Sequence, residues 1–127
     1  MEVTPEAYSQ KLNKMEMKGK EIFKAAVKTL SDYAVLALET NGLTISDLDW
    51  VIPHQANLRI IEAVAKRLNI PMSKVLVNIS RFGNTSSATV PTALDEAVRD
   101  GRIQPGHTVL LDVFGAGLTF GSLLIRW

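Results

Sequence analysis

The sequence predicts an α/β fold in which helices alternate with strands of a mixed sheet. Short apolar runs such as Trp50-Val51-Ile52 are followed by segments whose apolar residues recur every three or four positions. Near the end of the chain, residues 107–114 and 118–126 form two apolar runs joined by a glycine-rich turn, which is typical of antiparallel neighbours. The expected order is αβαβαββ, and no linker or repeat divides residues 1–127 into more than one domain.

Two helices are expected in the first third of the chain. Thr4 and Pro5 suit the N-cap and first position of a short leading helix. Over residues 19–40 the apolar residues follow helical spacing with lysines between them, which predicts a long amphipathic helix. Asn41-Gly42 is a typical end for such a helix.

The next segments predict a strand that leads into a helix at His54. The apolar run 50–52 is too short for a helix, and Pro53 ends it, so we expect a buried strand. Residues 55–68 return to helical spacing.

The same pattern is expected to repeat around Asn84. Residues 75–79 predict a second strand, and Thr85 follows the loop as the expected N-cap of a helix ending at Asp100. The first half of this helix is rich in small side chains, and we expect it to be buried.

Composition excludes several functional classes. Hydrophobic residues make up 46% of the chain and charged residues only 21%, so part of the apolar surface is expected to meet a partner. Fourteen basic and thirteen acidic residues give a formal net charge of +1, which argues against binding to nucleic acid or a membrane surface. Without cysteine, the chain has no disulfide, no Cys-ligated zinc and no thiolate nucleophile of its own.

Targeting signals are also missing from the sequence as given. No apolar run approaches the roughly 18 residues that a membrane span needs. The first residues lack the charged and then apolar layout of a signal peptide. The expected location is therefore the cytoplasm.

His54 and Asn84 are the candidate catalytic residues. Each is expected where a strand gives way to a helix, the end of an α/β sheet at which ligands usually bind. A helix amino terminus would keep the imidazole neutral, and the amide donates at any pH, so the two side chains could hold an anionic oxygen between them. Each residue also fits a purely structural role, as a helix cap or a turn residue.

The residues around both positions resemble one family of enzymes. The segments Val51-Ile52-Pro53-His54-Gln55-Ala56-Asn57-Leu58-Arg59-Ile60 and Gly83-Asn84-Thr85-Ser86-Ser87-Ala88-Thr89-Val90-Pro91 closely resemble beta-ketoacyl-acyl-carrier-protein synthase III. The resemblance runs from about Met17 to Trp127 and includes Phe114-Gly115-Ala116-Gly117 in the expected order.

This resemblance implies a fold and a reaction. The chain would be one half of a duplicated thiolase-like α-β-α-β-α sandwich, with helices on both faces of the sheet. An acyl group from acyl-CoA would be loaded on a cysteine of the missing amino-terminal half and then condensed with malonyl-acyl carrier protein. His54 and Asn84 would stabilise the enolate. The complete enzyme would be a homodimer that needs no metal or cofactor.

Further site residues follow from the resemblance. Gly115 and Ala116 would supply a backbone oxyanion donor. The residues expected to contact the substrate or its pantetheine arm are Asn57, Phe23, Gly19 and Phe114. On one helix the residues expected to attract acyl carrier protein are Arg59, Lys66 and Arg67.

Two alternatives remain open at the level of sequence. A stand-alone, non-catalytic module that binds acyl carrier protein or pantetheine would lack a cysteine equally well. Plant-type polyketide synthases and quinolone-forming synthases use a similar His, Asn and glycine turn. The run His54-Gln55-Ala56-Asn57 favours synthase III over these relatives.

Overall fold

The computed structural model describes residues 4–10 and 18–127. The α-helices of the described residues are α1 (Pro5–Ser9), α2 (Gly19–Thr40), α3 (Leu58–Arg67), α4 (Ile79–Phe82) and α5 (Thr89–Arg99). The strands are β1 (Trp50–Pro53), β2 (Thr108–Gly115) and β3 (Thr119–Arg126). Short 3₁₀ turns occupy Ile45–Asp47, Met72–Lys74 and Ser86–Ala88. Met17, where the resemblance begins, lies outside the described residues.

The two helices expected early in the chain are both present. In α1 the Thr4 hydroxyl accepts a hydrogen bond from Ala7 N at 3.1 Å, as an N-cap residue does. One side of α2 is buried, because its apolar residues recur at helical spacing. The buried apolar residues of this side are Ala26, Leu30, Ala34 and Leu38.

The sheet is mixed, as the sequence predicts. Its strand order is β1-β2-β3, with β1 parallel to β2 and β2 antiparallel to β3. Val51 lies opposite Leu110, and Leu110 lies opposite Leu124. Because the hairpin of β2 and β3 carries the glycine-rich turn, that turn lies at the same end of the sheet as Pro53.

Helices cover both faces of the sheet, which confirms the expected α/β class. Alternate strand residues point to opposite faces. Val51 and Leu110 pack into one cluster with residues of α2 and α3. Ile52 and Val109 pack into a second cluster with residues of α5.

The expected second strand over residues 75–79 is wrong. Val75 forms only an isolated parallel bridge with Val51, and Leu76 N donates to Val51 O at 2.9 Å. Pro53 has no N–H to continue the ladder, so the side-chain amide of Gln55 donates to Leu76 O at 3.0 Å instead. Gln55 Oε1 then accepts from the backbone N–H groups of residues 78 and 79, at 3.0 and 3.2 Å.

The helix expected after Asn84 begins later than predicted. Ser86 has a φ of +55°, a left-handed conformation that cannot continue an α-helix. A 3₁₀ turn therefore precedes α5, which starts at Thr89 instead of directly after Thr85. Pro91 is tolerated because it lies in the first turn of α5, where its missing N–H has no intrahelical partner.

Burial of the small-residue segment is only partly as expected. Thr89 and Ala93 are buried, whereas residues 84–88 are exposed in this chain. Large apolar side chains also remain exposed among the described residues, notably Leu36 and Leu123, at 57% and 58%. No helix in the described ranges combines the length and the apolar character needed to cross a membrane.

Candidate functional site

His54 lies at the carboxyl end of β1 and is held by three contacts. Its backbone N–H donates to Asp112 O on β2 at 2.8 Å. The ring atom Nδ1 lies 2.6 Å from Thr89 Oγ1, at the start of α5. The ring also packs edge-on against Phe114, with centroids 5.5 Å apart. These contacts come from two elements, β2 and α5, and together they position both the backbone and the ring of His54.

The segment after His54 differs from the expected helix. Residues 54–56 form a short connection, and α3 begins at Leu58. Asn57 is the N-cap of α3, since its Oδ1 accepts from Arg59 N at 2.9 Å. His54 is therefore not at the start of its own helix. The helix start that it contacts is that of α5.

The electrostatic state of His54 follows from its half-buried position. Burial lowers the pKa of the imidazole below its ordinary value, because the protonated ring is desolvated. The lowered pKa agrees with the neutral ring expected from the sequence. The pKa is lowered by desolvation, however, and not by the dipole of a helix as the sequence suggested.

Asn84 lies in an exposed loop between α4 and the 3₁₀ turn. Its Oδ1 accepts from Ser86 N at 2.9 Å, which orients the amide. Gly83 before it has a φ of +67°, a conformation that glycine adopts without strain. Within the described ranges, the amide nitrogen Nδ2 has no hydrogen-bond partner.

Thr89 joins the two candidate residues and was not singled out from the sequence. Its hydroxyl contacts His54 Nδ1 and donates to Ser86 O at 2.9 Å. Ser86 N in turn donates to Asn84 Oδ1. His54 and Asn84, thirty residues apart, are therefore linked through a short hydrogen-bonded chain. No distinct signal in the sequence pointed to Thr89, because residues 85–92 contain other serines and threonines.

Gly115 is the last residue of β2, and Ala116 follows it in the turn that joins β2 to β3. The alanine is tolerated because its φ is not in the left-handed region, and its carbonyl accepts from Thr119 Oγ1 at 3.1 Å. At Gly117, by contrast, an added Cβ would lie 2.6 Å from Thr119 Oγ1. Glycine is thus required at position 117 and not at position 116.

The expected substrate-contacting residues are only partly brought together. Phe114 touches His54 and stacks on Phe120 with centroids 6.3 Å apart. Phe23 and Gly19 lie in the first turns of α2, and the aromatic contacts of the described residues do not join Phe23 to His54. Two surface depressions in the described part of the chain are lined by neither His54 nor Asn84.

The basic residues of α3 are not equivalent. Arg59 and Lys66 are seven positions apart, so they share one face of the helix. Arg67 Nη2 instead lies 3.3 Å from Asp32 Oδ1 on α2. Lys28 and Arg67 together hold the pKa of Asp32 below its usual range.

Asp112 is a second residue that the sequence analysis missed. Its side chain is fully buried, Ser122 Oγ donates to its Oδ1 at 2.6 Å, and Oδ2 has no partner in the described structure. Burial raises the pKa of Asp112 to about 7, although the bond from Ser122 acts in the opposite direction. A single acidic residue within the apolar strand β2 was the available signal. Within the described ranges, no three His, Cys, Asp or Glu side chains are grouped as metal ligands.

Comparison with known proteins places these residues in one family. The family model described as "3-Oxoacyl-[acyl-carrier-protein (ACP)] synthase III C terminal" matches residues 38–127. The chain is 60% identical over 113 residues to the beta-ketoacyl-acyl-carrier-protein synthase III of Sodalis glossinidius, covering 89% of this chain and 36% of that protein. The chain thus spans about a third of the length of this curated relative.

Solved structures give the same result. The synthase III of Thermus thermophilus matches with a TM-score of 0.88 and 49% identity, over 91% of this chain and 36% of the other. A priming beta-ketosynthase from a polyketide biosynthetic pathway matches with a TM-score of 0.76 and 44% identity, over 87% of this chain and 34% of the other.

Proposed function

Because the chain belongs to the carboxyl-terminal family of 3-oxoacyl-acyl-carrier-protein synthase III, we propose that it is the carboxyl-terminal catalytic half of such a condensing enzyme. The complete enzyme would start fatty acid biosynthesis by joining an acyl group from acyl-CoA to malonyl-acyl carrier protein. The chain covers about a third of its relatives and has no cysteine, so the nucleophile would come from the amino-terminal half. This chain alone would be inactive.

The chemistry divides into acyl loading and condensation. In loading, the cysteine thiolate of the other half attacks acyl-CoA and releases CoA. In condensation, the bond to the malonyl carboxylate breaks, carbon dioxide leaves, and its electron pair forms a thioester enolate. The enolate carbon then attacks the acyl-cysteine thioester and releases the cysteine thiolate. The enolate oxygen is the atom that needs stabilisation.

The observation that carries this proposal is the way His54 and Asn84 are held. The chain's own groups occupy one polar atom of each side chain, Nδ1 through Thr89 and Oδ1 through Ser86 N. His54 Nε2 and Asn84 Nδ2 are left for a ligand. One such preorganised donor typically contributes ~3 kcal/mol of transition-state stabilisation, so two would govern the rate of decarboxylation.

Other residues would bind the substrates around this pair. Gly115 and Ala116, just beyond Phe114, would present backbone N–H groups to a thioester oxygen in the acyl-transfer step. The side chains and backbone proposed to line the path of the pantetheine arm are those of Asn57, Gly19, Phe23 and Phe114. No metal or cofactor enters the proposed reaction.

Acyl carrier protein would dock on α3. Arg59 and Lys66 share a helix face that can attract an acidic partner. Arg67 would contribute less, because Asp32 already offsets part of its charge. The complete enzyme would act as a homodimer, as the exposed apolar side chains of this half leave surface for both its own missing half and a second subunit.

The test separates the two half-reactions in the complete enzyme. We expect His54→Ala and Asn84→Ala each to slow decarboxylation of malonyl-acyl carrier protein by about 10²- to 10³-fold. Acyl loading, followed by the mass of the acyl-enzyme, should stay within a few-fold of wild type, because neither side chain acts on the cysteine in that step. An equal loss of both half-reactions would contradict the assigned roles.

A second candidate is a stand-alone module that binds acyl carrier protein or pantetheine without turnover. The absence of cysteine favours it as much as it favours a half-enzyme. The coding region upstream of Met1 separates the two: a continuous frame with a cysteine-bearing thiolase-like half supports the enzyme, and a native start codon at Met1 supports the module. Product analysis would then separate a fatty-acid enzyme from a polyketide or quinolone synthase.

A further inference from the structure

Thr89 lies between the His54 ring and the backbone of the 3₁₀ turn. It is only 2% exposed and is the first residue of α5. Its Oγ1 lies 2.6 Å from His54 Nδ1 and donates to Ser86 O at 2.9 Å. A hydroxyl has one proton and two lone pairs, so it cannot donate to both atoms.

The position of that proton determines the tautomer of His54. If the hydroxyl donates to the Ser86 carbonyl, it must accept from the ring, and Nδ1 then carries the hydrogen. The reverse arrangement would give up the bond to the carbonyl and direct oxygen lone pairs at each other across 2.9 Å. We infer that Thr89 is a positioning residue that holds neutral His54 with its proton on Nδ1.

With this tautomer, His54 Nε2 and Asn84 Nδ2 differ in hydrogen bonding toward a ligand. The meaning of that difference for the enolate rests on the proposed function. In the neutral ring Nε2 carries a lone pair, so it accepts hydrogen bonds, and it donates only when the ring is protonated. Asn84 Nδ2 donates at any pH. The expectation that a neutral His54 donates to the enolate is thereby revised: the donor is the imidazolium, which an anionic ligand beside Nε2 would favour.

Nitrogen NMR of the 127-residue chain tests the tautomer without any activity. The chain has two histidines, and His107 provides an internal comparison because its Nδ1 accepts from Gln104 N at 3.2 Å. At a pH where both rings are neutral, we expect His54 to be protonated at Nδ1 and His107 at Nε2. His107→Gln assigns the signals. A spectrum in which His54 Nε2 carries the proton overturns the inference.

Substitutions show whether Thr89 is the cause. Thr89→Val removes the hydroxyl at nearly constant shape, and we expect the proton of His54 to move largely to Nε2. Thr89→Ser should retain the wild-type tautomer. Thr92→Val is the matched control, because Thr92 makes the same kind of bond to Ala88 O at 2.6 Å on the same helix. An unchanged tautomer in Thr89→Val would overturn the assigned role.

The complete enzyme gives a second readout. Decarboxylation by wild type should fall tenfold per pH unit above the pKa of His54, since only the protonated ring donates. Thr89→Val should have a flatter profile, and Thr89→Ser should keep the wild-type one. The groups that contact the ring, Thr89 and Phe114, are uncharged, and Asp112→Asn removes the titration of the acid on the adjoining strand.

The two conclusions fail separately. The inference is wrong if NMR finds the opposite tautomer or if the profile of Thr89→Val matches wild type, whatever the enzyme catalyses. If the tautomer is as inferred and His54→Ala leaves decarboxylation intact, the proposed function fails alone.

Discussion

The two halves of the candidate site differ sharply in how firmly this chain holds them. The His54 segment, residues 53–57, is buried or half-buried except at Asn57, and it is fixed by α5 and by Asp112 and Phe114 of β2. The Asn84 segment, residues 81–88, is exposed throughout, and its amide is oriented by a single bond from Ser86 N. The first half of the site is thus preorganised by the core of this chain, whereas the second is expected to be completed by surfaces that the rest of the enzyme supplies.

Gln55 is the residue that connects the two segments. Its buried amide donates to Pro53 O and Leu76 O and accepts from the backbone N–H groups of residues 78 and 79. The stability of the region that leads to the Asn84 segment therefore depends on a side chain of the His54 segment. Substitutions in the two segments should therefore differ in their effect on stability.

Gln55→Leu should be the most damaging of the stability variants. It leaves the backbone N–H groups of buried Asn78 and half-buried Ile79 without an acceptor, and we expect the free energy of unfolding to fall by about 3 kcal/mol. Urea denaturation of the chain measures this. The control is Gln104→Leu, whose amide makes one exposed bond to Gly101 O and should change stability by less than about 0.5 kcal/mol. Similar effects of both variants would argue against a special role for Gln55.

Asp112 lies on the strand beside His54, and Asp112→Asn should alter the pH dependence of the free energy of unfolding. Because burial raises the pKa of Asp112 from 3.8 to about 7, folding favours the protonated carboxyl. The stabilisation that the protonated Asp112 carboxyl gives the wild-type fold is fully present below pH 3.8 and is lost as the pH rises through about 7. The variant does not titrate, so its stability relative to wild type should rise by a few kcal/mol between pH 4 and 8.

Urea denaturation at several pH values measures that difference. Ser122→Ala is a useful companion, since it removes the one hydrogen bond that opposes the raised pKa. In that variant the pH at which stability is lost should move upward. A stability difference between Asp112→Asn and wild type that does not depend on pH would refute the raised pKa.

Ser86→Gly should produce the smallest effect, in the loosely held Asn84 segment. Ser86 has a φ of +55°, which costs an L-residue roughly 1 kcal/mol and glycine nothing. Glycine loses more backbone entropy on folding, so we expect a net stabilisation below about 1 kcal/mol. Ser87→Gly, in the same turn but not at positive φ, should destabilise by about 0.5–1 kcal/mol. Thermal unfolding compares the two, and the same sign for both would contradict the strain at Ser86.

Local patterns predicted much of the fold correctly. The long helix α2, strand β1 and the hairpin of β2 and β3 follow from apolar periodicity and turn residues, which act over a few neighbours. The resemblance of the segments around His54 and Asn84 to one enzyme family also indicated these two residues as candidates. The comparisons then established the family.

Tertiary structure decided what depends on residues distant in sequence. Whether residues 75–79 form a strand depended on Pro53, which lacks an N–H, and on the buried amide of Gln55, more than twenty positions away. The partners of the His54 ring, Thr89 and Phe114, come from elements that only packing brings together. The raised pKa of Asp112 likewise arises from burial. Sequence alone thus determined the segments with a clear local pattern, α2, β1 and the hairpin of β2 and β3, and it indicated His54 and Asn84 as candidate residues. Folding determined which polar atoms of these two residues bind the chain's own groups, because those partners are brought together only by packing.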